Sequence, residues 1–389
     1  MFATRTNEIS PFVVMQLLKR AQEYEQLGKT VVHLEVGEPD FQTAAPIVRA
    51  AHDAIDAGRT KYTSASGITE LRQRISDYYR ALGVNVSADR IMVTSGASGG
   101  LTLLAGLLLN PGDRLLITDP GYPCNDVFAR LAGATPKAIP VYAEHRFQPT
   151  LASFQAAWCE HTRGALLASP GNPTGTMLAA EDLTDMAAFA MSQQGFLILD
   201  EIYQGLHHGE PEYRSGLGVT QNIYVLNSFS KFFGMTGWRL GWIVVPDQAI
   251  DPITALAQNL FISPSAPAQY AALAAFDDDT MLIHQQRQQA FISRASVLSQ
   301  GLEALGFGIP VSPDGAFYLY VDISHTGMNS TDFCWRLIDE YQVAVTPGAD
   351  FGSHQADAHV RFAYTTDEES IALGLQRIEA ALMAWGIQA

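Results

Sequence analysis

Lys231 is the residue of this chain whose neighbours most favour covalent chemistry. It lies in the segment Ser-Phe-Ser-Lys-Phe-Phe-Gly-Met-Thr-Gly-Trp-Arg, residues 228–239, where aromatic, glycine and hydroxyl residues surround it and Arg239 follows eight positions later. A lysine without such neighbours is most often a solvated side chain. Burial and a nearby cation both lower the pKa of a lysine and free its amine as a nucleophile. The segment therefore favours a lysine that forms a Schiff base with a carbonyl cofactor.

A second chemical feature is the glycine-rich segment from Gly96 to Gly100. It follows an apolar run with the pattern of a strand and precedes an apolar helical stretch that starts at Leu101. Backbone N–H groups at the N-terminus of a helix bind anions, so Gly96, Ala97 and Ser98 are candidates for holding a phosphate. A tight strand-to-helix turn without a ligand explains the same residues equally well. The spacing does not match G-x-G-x-x-G, which disfavours a dinucleotide.

The same segment also matches G-x-S-x-G, the nucleophile elbow of the α/β-hydrolases. In this distant alternative Ser98 is the nucleophile, and His354 or His359 lies late in the chain, where a triad histidine would fall. However, no HGGG-like segment precedes Ser98 to form an oxyanion site. The alternative also leaves Lys231 and Arg239 without a role.

Six apolar runs in the middle of the chain have the pattern of buried strands, with helical patterns such as residues 180–191 between several of them. The predicted strands are residues 91–94, 114–118, 165–169, 196–200, 223–227 and 240–245. Apolar strands separated by helices indicate a mostly parallel sheet that is covered on both faces. Ligands bind outside the carboxyl ends of the strands in such sheets. Here those ends carry polar or Gly/Pro-rich segments, at residues 95–100, 119–123, 169–175, 200–203 and 228–231.

The length and composition fit a large domain with a smaller one. The chain has 389 residues, of which 47% are hydrophobic and 16% are charged. We expect a large domain at residues 44–270 and a small α+β domain that combines residues 1–43 with residues 271–389. The small domain would contain a long helical stretch at 271–305 and strands at 317–321 and 360–364.

Charge, cysteines and hydropathy exclude several classes of protein. The net charge of −16 disfavours binding to nucleic acid or to anionic lipid. Cys124, Cys159 and Cys334 lack metal-ligand or disulfide spacing, so we expect buried free thiols. The first ten residues lack a signal-peptide pattern, and the longest apolar run, residues 101–109, is too short to cross a bilayer. We therefore expect a soluble cytoplasmic protein without a metal.

Two motifs give the chain a family resemblance. The lysine segment and Ser-Pro-Gly-Asn-Pro-Thr-Gly at 169–175 resemble the signatures of the class I/II pyridoxal-phosphate-dependent aminotransferases, which belong to fold type I and the aspartate aminotransferase superfamily. The likeness runs from Val-Gly-Glu-Pro-Asp at 36–40 to Val-Arg-Phe at 360–362. It implies an α/β fold with a mostly parallel seven-stranded sheet and a smaller α+β domain. It also implies that pyridoxal 5′-phosphate is attached at Lys231.

The resemblance further implies roles for residues around that cofactor. Asp200 would pair with the protonated pyridine nitrogen and keep the ring able to accept electrons. Asn172 and Tyr203 would hydrogen-bond the phenolate oxygen, and Tyr122 would stack on the ring. The phosphate would be held by Gly96, Ala97, Ser98, Ser228, Ser230 and Arg239.

Two further roles concern the partner subunit and the substrate. Tyr62 resembles a tyrosine that reaches the phosphate from the neighbouring subunit, which implies a homodimer with shared sites. Arg361 would bind the substrate α-carboxylate through a bidentate pair, with Asn172 and Gly37 assisting. Each residue has an ordinary structural explanation when it is taken alone. Their joint occurrence at successive strand ends favours the functional interpretation.

The implied reaction is a ping-pong transamination between an L-amino acid and a 2-oxo acid, with Lys231 as general acid and base. An aspartate-specific branch of the family has a lysine where this chain has Ser98, and residues 259–262 contain no arginine. We therefore expect neutral or hydrophobic substrates, with Phe12 and Phe261 lining the pocket. A carbon–sulfur β-lyase with the same cofactor and site residues remains an alternative.

Overall fold

A computed structural model describes residues 2–9 and 11–387 of the chain, and strands alternate with helices through its middle. The strands are β1 (Val32–His33), β2 (Ile91–Thr94), β3 (Arg114–Asp119), β4 (Thr135–Pro140), β5 (Thr162–Ala168), β6 (Phe196–Asp200), β7 (Tyr224–Ser228), β8 (Gly241–Val244), β9 (Tyr318–Asp322), β10 (Val343–Ala344), β11 (Thr346–Pro347) and β12 (His359–Ala363). The α-helices are α1 (Val13–Gln26), α2 (Ala45–Asp56), α3 (Thr69–Ala81), α4 (Gly96–Leu108), α5 (Cys124–Leu131), α6 (Leu151–Ala157), α7 (Ala180–Ser192), α8 (Ile250–Leu260), α9 (Ala266–Leu273), α10 (Asp278–Ala304), α11 (Ser330–Tyr341) and α12 (Glu368–Trp385).

The central sheet has seven strands in the order β2-β8-β7-β6-β5-β3-β4. All neighbouring pairs are parallel except those that involve β8, which runs antiparallel to β2 and to β7. This confirms the predicted α/β fold with a mostly parallel seven-stranded sheet. The six strands predicted individually are all present, with ends that differ by at most three residues.

The edge strand β4 was not predicted. Its sequence, Thr-Pro-Lys-Ala-Ile-Pro, lacks the apolar run of a buried strand, and only Ile139 is buried within it. Proline cannot donate a hydrogen bond to a neighbouring strand, so it is tolerated at an edge. The pattern that found the buried strands therefore fails for this one.

The predicted long helix at 271–305 is wrong in its first part. The chain forms α9, then a 3-10 turn at Ala274–Phe276, and only then α10. Asp277 has an extended backbone that separates the turn from α10. Asp278 and Asp279 follow in the first turn of α10, where acidic side chains favour a helix start.

The C-terminal part forms a second layer to which the N-terminal segment is joined. Strands β11, β12 and β9 make an antiparallel sheet, in which β9 and β12 correspond to the two predicted late strands. The N-terminal β1 pairs in parallel with β10. These pairings support the proposed division into residues 44–270 and the remaining two segments.

Two further expectations concerned buried free thiols and the lack of a membrane-spanning segment. None of the three cysteines, all of which lie in the described part of the chain, forms a disulfide. Cys334 is buried as expected, whereas Cys124 and Cys159 are only half-buried. Within residues 2–9 and 11–387, no helix combines the length and apolar character needed to cross a membrane.

Helix α4 packs unusually close to the sheet through Gly100. A Cβ at that position would lie 2.6 Å from Cδ1 of Leu226 and 2.9 Å from Cγ2 of Ile243. Gly106 lies on the same helix, but a Cβ there would have no heavy atom within 4 Å. The start of α4, which carries the glycine-rich segment, is therefore held against β7 and β8.

We expect Gly100→Ala to lower the free energy of unfolding by about 1–3 kcal/mol, because the added methyl overpacks the contact with the sheet. Gly106→Ala serves as the matched control. It should raise that free energy by about 0.5–1 kcal/mol, since alanine favours a helix interior. Thermal and denaturant unfolding of both variants would check this. Equal stability of the two variants would contradict the close packing.

Candidate active site

A cavity of about 390 Å³ lies where several carboxyl ends of the central strands meet the second layer. Its wall includes residues that follow β3, β5, β6 and β7, together with residues from the N-terminal segment and from β12. The predicted site residues on this wall are Gly37, Tyr122, Asn172, Tyr203, Lys231 and Arg361. Residues far apart in sequence thus face one space.

The amine of Lys231 is held inside this cavity. Its Nζ donates to the carbonyl oxygen of Gly37 at 2.7 Å, and it lies 5.8 Å from the ring centre of Tyr203 and 5.6 Å from that of Phe317. Burial lowers the pKa of Lys231 to about 8, with a further lowering by the positive charge of Arg361. The neutral, nucleophilic amine is therefore accessible near neutral pH.

Asp200 ends β6 in a buried position close to the lysine. Its carboxylate accepts a hydrogen bond from the backbone N–H of Ile202 at 3.0 Å. Burial raises the pKa of Asp200 to about 7, although that N–H and the charge of Lys231 act in the opposite direction. A cation placed beside this carboxylate would favour its ionised form.

Arg361 reaches the cavity from β12 and is buried. Its Nη1 donates to Oδ1 of Asn172 at 2.9 Å, and its Nη2 donates to the carbonyl oxygen of Glu35 and, at 3.2 Å, to Oγ1 of Thr346. The guanidinium lies 4.3 Å from the ring centre of Tyr318. Its Nε is buried without a hydrogen-bond partner in the described chain. A fixed planar guanidinium of this kind suits a carboxylate.

Tyr318 is a site residue that sequence reasoning missed. Its hydroxyl lies 2.9 Å from that of Tyr203, and a Cβ on Gly37 would lie 1.8 Å from the same oxygen. Position 37 must therefore be glycine, because the Tyr318 hydroxyl lies too close to leave room for a side chain. The predicted strand at 317–321 included Tyr318, but no pattern in the sequence showed that it would face Tyr203.

The glycine-rich turn and Arg239 lie against each other. Gly96 has φ +72°, and a Cβ there would lie 2.7 Å from the Arg239 guanidinium. Ser98 is exposed in the first turn of α4, whereas Ser228 and Ser230 are buried at the end of β7. The backbone N–H of Ser230 donates to Oγ of Ser228 at 3.0 Å. Amides, hydroxyls and a guanidinium around one turn suit a phosphate.

A buried polar network, which was not predicted, holds the end of β7 in place. Nδ2 of Asn227 donates to Oε1 of Gln204 at 2.7 Å, and the backbone N–H of Ser228 donates to Oδ1 of Asn227 at 2.7 Å. Glu201 accepts from the N–H of Gly216 at 2.5 Å and from Oγ of Ser215 at 2.9 Å. Burial raises the pKa of Glu201 to about 8 in spite of these donors. The network fixes the backbone that carries Ser228 and Lys231.

Several predicted residues are not on the cavity wall, namely Gly96, Ala97, Ser98, Asp200, Ser228, Ser230, Arg239, Phe261 and Tyr62. Phe12 lies on the cavity wall, as expected. Phe261 instead packs against the apolar cluster between α4, α8 and the sheet, so the prediction that it lines the cavity was wrong. Tyr62 is 81% exposed and lies away from the cavity of its own chain. Its predicted contact with a partner subunit stays a proposal.

The hydrolase alternative finds no support in this geometry. His359 stacks on Tyr320 with ring centres 4.7 Å apart and bonds the carbonyl of Gln355, while His354 packs edge-on against Tyr142. In the described chain no hydrogen bond joins Ser98 to either histidine. Ser98 therefore lacks the general base that a triad requires.

Together these residues fit pyridoxal phosphate. The cavity offers a lysine amine of lowered pKa for the aldehyde. The buried carboxylate of Asp200, whose charge acts on that amine, suits the ring nitrogen, and an anion-binding turn lies near the same strand ends. The unpartnered Nε of Arg361 and the cradle at Gly96 provide donors for anionic groups. Such a set defines a lysine-dependent pyridoxal phosphate enzyme.

Comparisons with known proteins identify the family. A model of the family described as aminotransferase class I and II matches residues 29–378. A (5-formylfuran-3-yl)methyl phosphate transaminase from Methanocaldococcus jannaschii is 35% identical over 98% of this chain and 100% of its own. A valine–pyruvate aminotransferase from Mycobacterium tuberculosis is 35% identical over 95% of this chain and 96% of its own. The solved structure of an aspartate aminotransferase from Thermus thermophilus with maleate matches with a TM-score of 0.92 at 31% identity, over 98% of this chain and 100% of that one.

The chain belongs to the class I and II aminotransferase family. It is a pyridoxal-phosphate-dependent aminotransferase that acts on amino acid and 2-oxo acid substrates. The predicted family, fold, cofactor and reaction class are thereby confirmed. The names of these relatives favour transamination over the β-lyase alternative.

The lowered pKa of Lys231 predicts a pH-dependent effect on stability. Below pH 8 the lysine is protonated in both the folded and the unfolded cofactor-free chain, so the folded state bears the full cost of the buried charge. Above the unfolded pKa of about 10.4 both states are neutral and this cost is absent. Lys231→Met should therefore stabilise the cofactor-free protein at pH 7, and the gain should shrink from pH 8 upwards.

Thermal midpoints of the wild type and the variant between pH 7 and pH 10 would measure this. Lys19→Met is the matched control, since Lys19 is exposed on α1. A gain from Lys231→Met that stays constant over that range would contradict the lowered pKa.

Proposed function

We propose that the enzyme moves the amino group of a neutral or hydrophobic L-amino acid to a 2-oxo acid, with Lys231 as its catalytic residue. The observation that carries the substrate class is the composition of the cavity wall. Its cations, among the described residues, are Lys231 and Arg361. The first is needed for the cofactor and the second for the α-carboxylate, so a side-chain carboxylate has no partner. The apolar residues on the wall are Phe12, Val14, Met15, Leu18, Val36, Pro123, Ile202 and Phe351.

Lys231 performs the proton transfers in this proposal. Bound pyridoxal phosphate supplies an electron sink that stabilises negative charge at the substrate α-carbon. With the cofactor bound, the Lys231 amine would take the proton from that carbon as general base and deliver it again as general acid. Its lowered pKa makes the neutral amine available for this step.

The other site residues hold the reactants in place. Arg361, with Asn172 and the backbone of Gly37, binds the α-carboxylate and orients the α-carbon towards Lys231. Asp200 would hold the proton of the pyridine nitrogen by its negative charge. Asn172 and Tyr203 would bind the phenolate oxygen, and Tyr122 would lie against the ring. The phosphate would be held by Gly96, Ala97, Ser98, Ser228, Ser230 and Arg239.

A homodimer with shared sites is part of the proposal. The 81% exposure of Tyr62 and its distance from its own cavity support a role in the site of a partner subunit. A cytoplasmic location belongs to the same proposal. The three unpaired cysteines support it, because free thiols persist in reducing compartments.

Attachment of the cofactor at Lys231 is tested by spectroscopy and mass spectrometry. We expect the purified enzyme to be yellow, and borohydride to fix the cofactor to the peptide that contains Lys231. Lys231→Ala should lose this covalent label, and Lys19→Ala should keep it. The absence of a chromophore after addition of pyridoxal phosphate would overturn the assignment.

Substrate class is tested by adding single amino acids to the holoenzyme and following the spectrum. Leucine, methionine and phenylalanine should convert the cofactor to its amino form. Aspartate should do so at least about tenfold more slowly, because its second carboxylate meets no cation. Arg361→Lys should raise the KM for every substrate, because lysine cannot form the bidentate pair. Conversion by aspartate alone would contradict the proposed substrate class.

A further inference from the structure

We propose that Glu35 is a specificity-determining residue that accepts a hydrogen bond from the far end of the substrate side chain. This inference rests on the proposed function, since it concerns the amino acid that the same cavity takes. The substrates it favours are L-amino acids whose largely apolar side chain ends in an O–H or N–H group.

Glu35 is a fully buried acid on the wall of the active-site cavity. Its Oε1 lies 2.7 Å from Nδ1 of His33. Its Oε2 is buried and has no hydrogen-bond partner among the residues that the structure describes. A buried carboxylate oxygen without a donor is unfavourable, so a ligand that supplies a donor is favoured at this position.

His33 occupies one of the two carboxylate oxygens of this acid. The imidazole lies between Glu35 and Glu25, with Nε2 3.2 Å from the Glu25 carboxylate. The hydrogen bond to Glu35 raises the pKa of His33 to about 9, against the effect of burial. A protonated imidazole donates from both nitrogens, so His33 occupies Oε1 of Glu35 and leaves Oε2 for another donor. The position at Oε2 therefore favours a substrate group that can donate a hydrogen bond.

The fold places this acceptor beside an apolar surface and the carboxylate site. Helix α1 carries Glu25, the outer partner of His33, and its residues Val14 and Leu18 line the cavity. The backbone oxygen of Glu35 accepts from Arg361, the residue assigned to the α-carboxylate. A substrate held at Arg361 thus has apolar residues and one acceptor within the same cavity.

The test uses two pairs of amino acids that differ by one hydroxyl group, namely norleucine with 6-hydroxynorleucine and phenylalanine with tyrosine. We expect the wild-type holoenzyme to favour the hydroxyl-bearing member of at least one pair by about tenfold or more in kcat/KM. Glu35→Met should abolish this preference. Glu35→Gln keeps the shape and an acceptor oxygen, so it should reduce the preference without abolishing it.

Glu25→Gln is the matched control, because it alters the same histidine from the exposed side and should keep the preference. The ratio within a pair does not depend on how much of a variant folds. Equal kcat/KM for both members of both pairs in the wild type, or an unchanged ratio in Glu35→Met, would overturn the role of Glu35 alone. Failure of the wild type to convert any amino acid would overturn the proposed function and this inference with it.

Discussion

The site depends on keeping the Lys231 amine out of bulk water at the end of β7. In water the amine would be protonated and unreactive near neutral pH, whereas burial and the charge of Arg361 bring its pKa to about 8. The seven-stranded sheet and its helices alone do not provide this environment. Gly37, whose carbonyl accepts from the amine, and Arg361, whose charge acts on it, both come from the second layer. The fold must therefore bring two layers together before the lysine becomes a nucleophile.

The sequence predicted the parts of this site that a local pattern encodes. Buried parallel strands appear as apolar runs, and the unusual residues directly after them marked Asn172, Asp200, Tyr203 and Lys231. The turn at Gly96 was visible for the same reason. Arg361 required the family resemblance, because an arginine in a short strand has no local signal of function.

The side-chain contacts that the sequence did not reveal join segments that are distant along the chain. Tyr318 meets Tyr203 and Gly37 only after β9 packs against the central sheet. Gln204 and Asn227 are separated by 23 positions, and their contact depends on β6 and β7 being neighbours. Phe261 was predicted in the wrong place because the local sequence is ambiguous. An aromatic residue before a Ser-Pro turn fits a pocket wall and a core equally well. Strand β4 was not predicted, because an exposed edge strand does not need the apolar run by which the buried strands were recognised.

In a strongly acidic chain, binding of an anionic ligand depends on a few cations at positions where solvent screens them least. Its net charge of −16 repels anionic ligands at long range, so the phosphate and the α-carboxylate need local partners. We propose Arg239 at the Gly96 turn and Arg361 beneath Tyr318 as these partners. The cavity wall also carries the acidic residues Glu35, Glu38 and Asp350. A second carboxylate on a substrate would meet these acids in a poorly screened space, where repulsion is strong. In the proposed function, discrimination between amino acids would follow from these acidic residues, once the two arginines have bound the groups that every substrate and cofactor share.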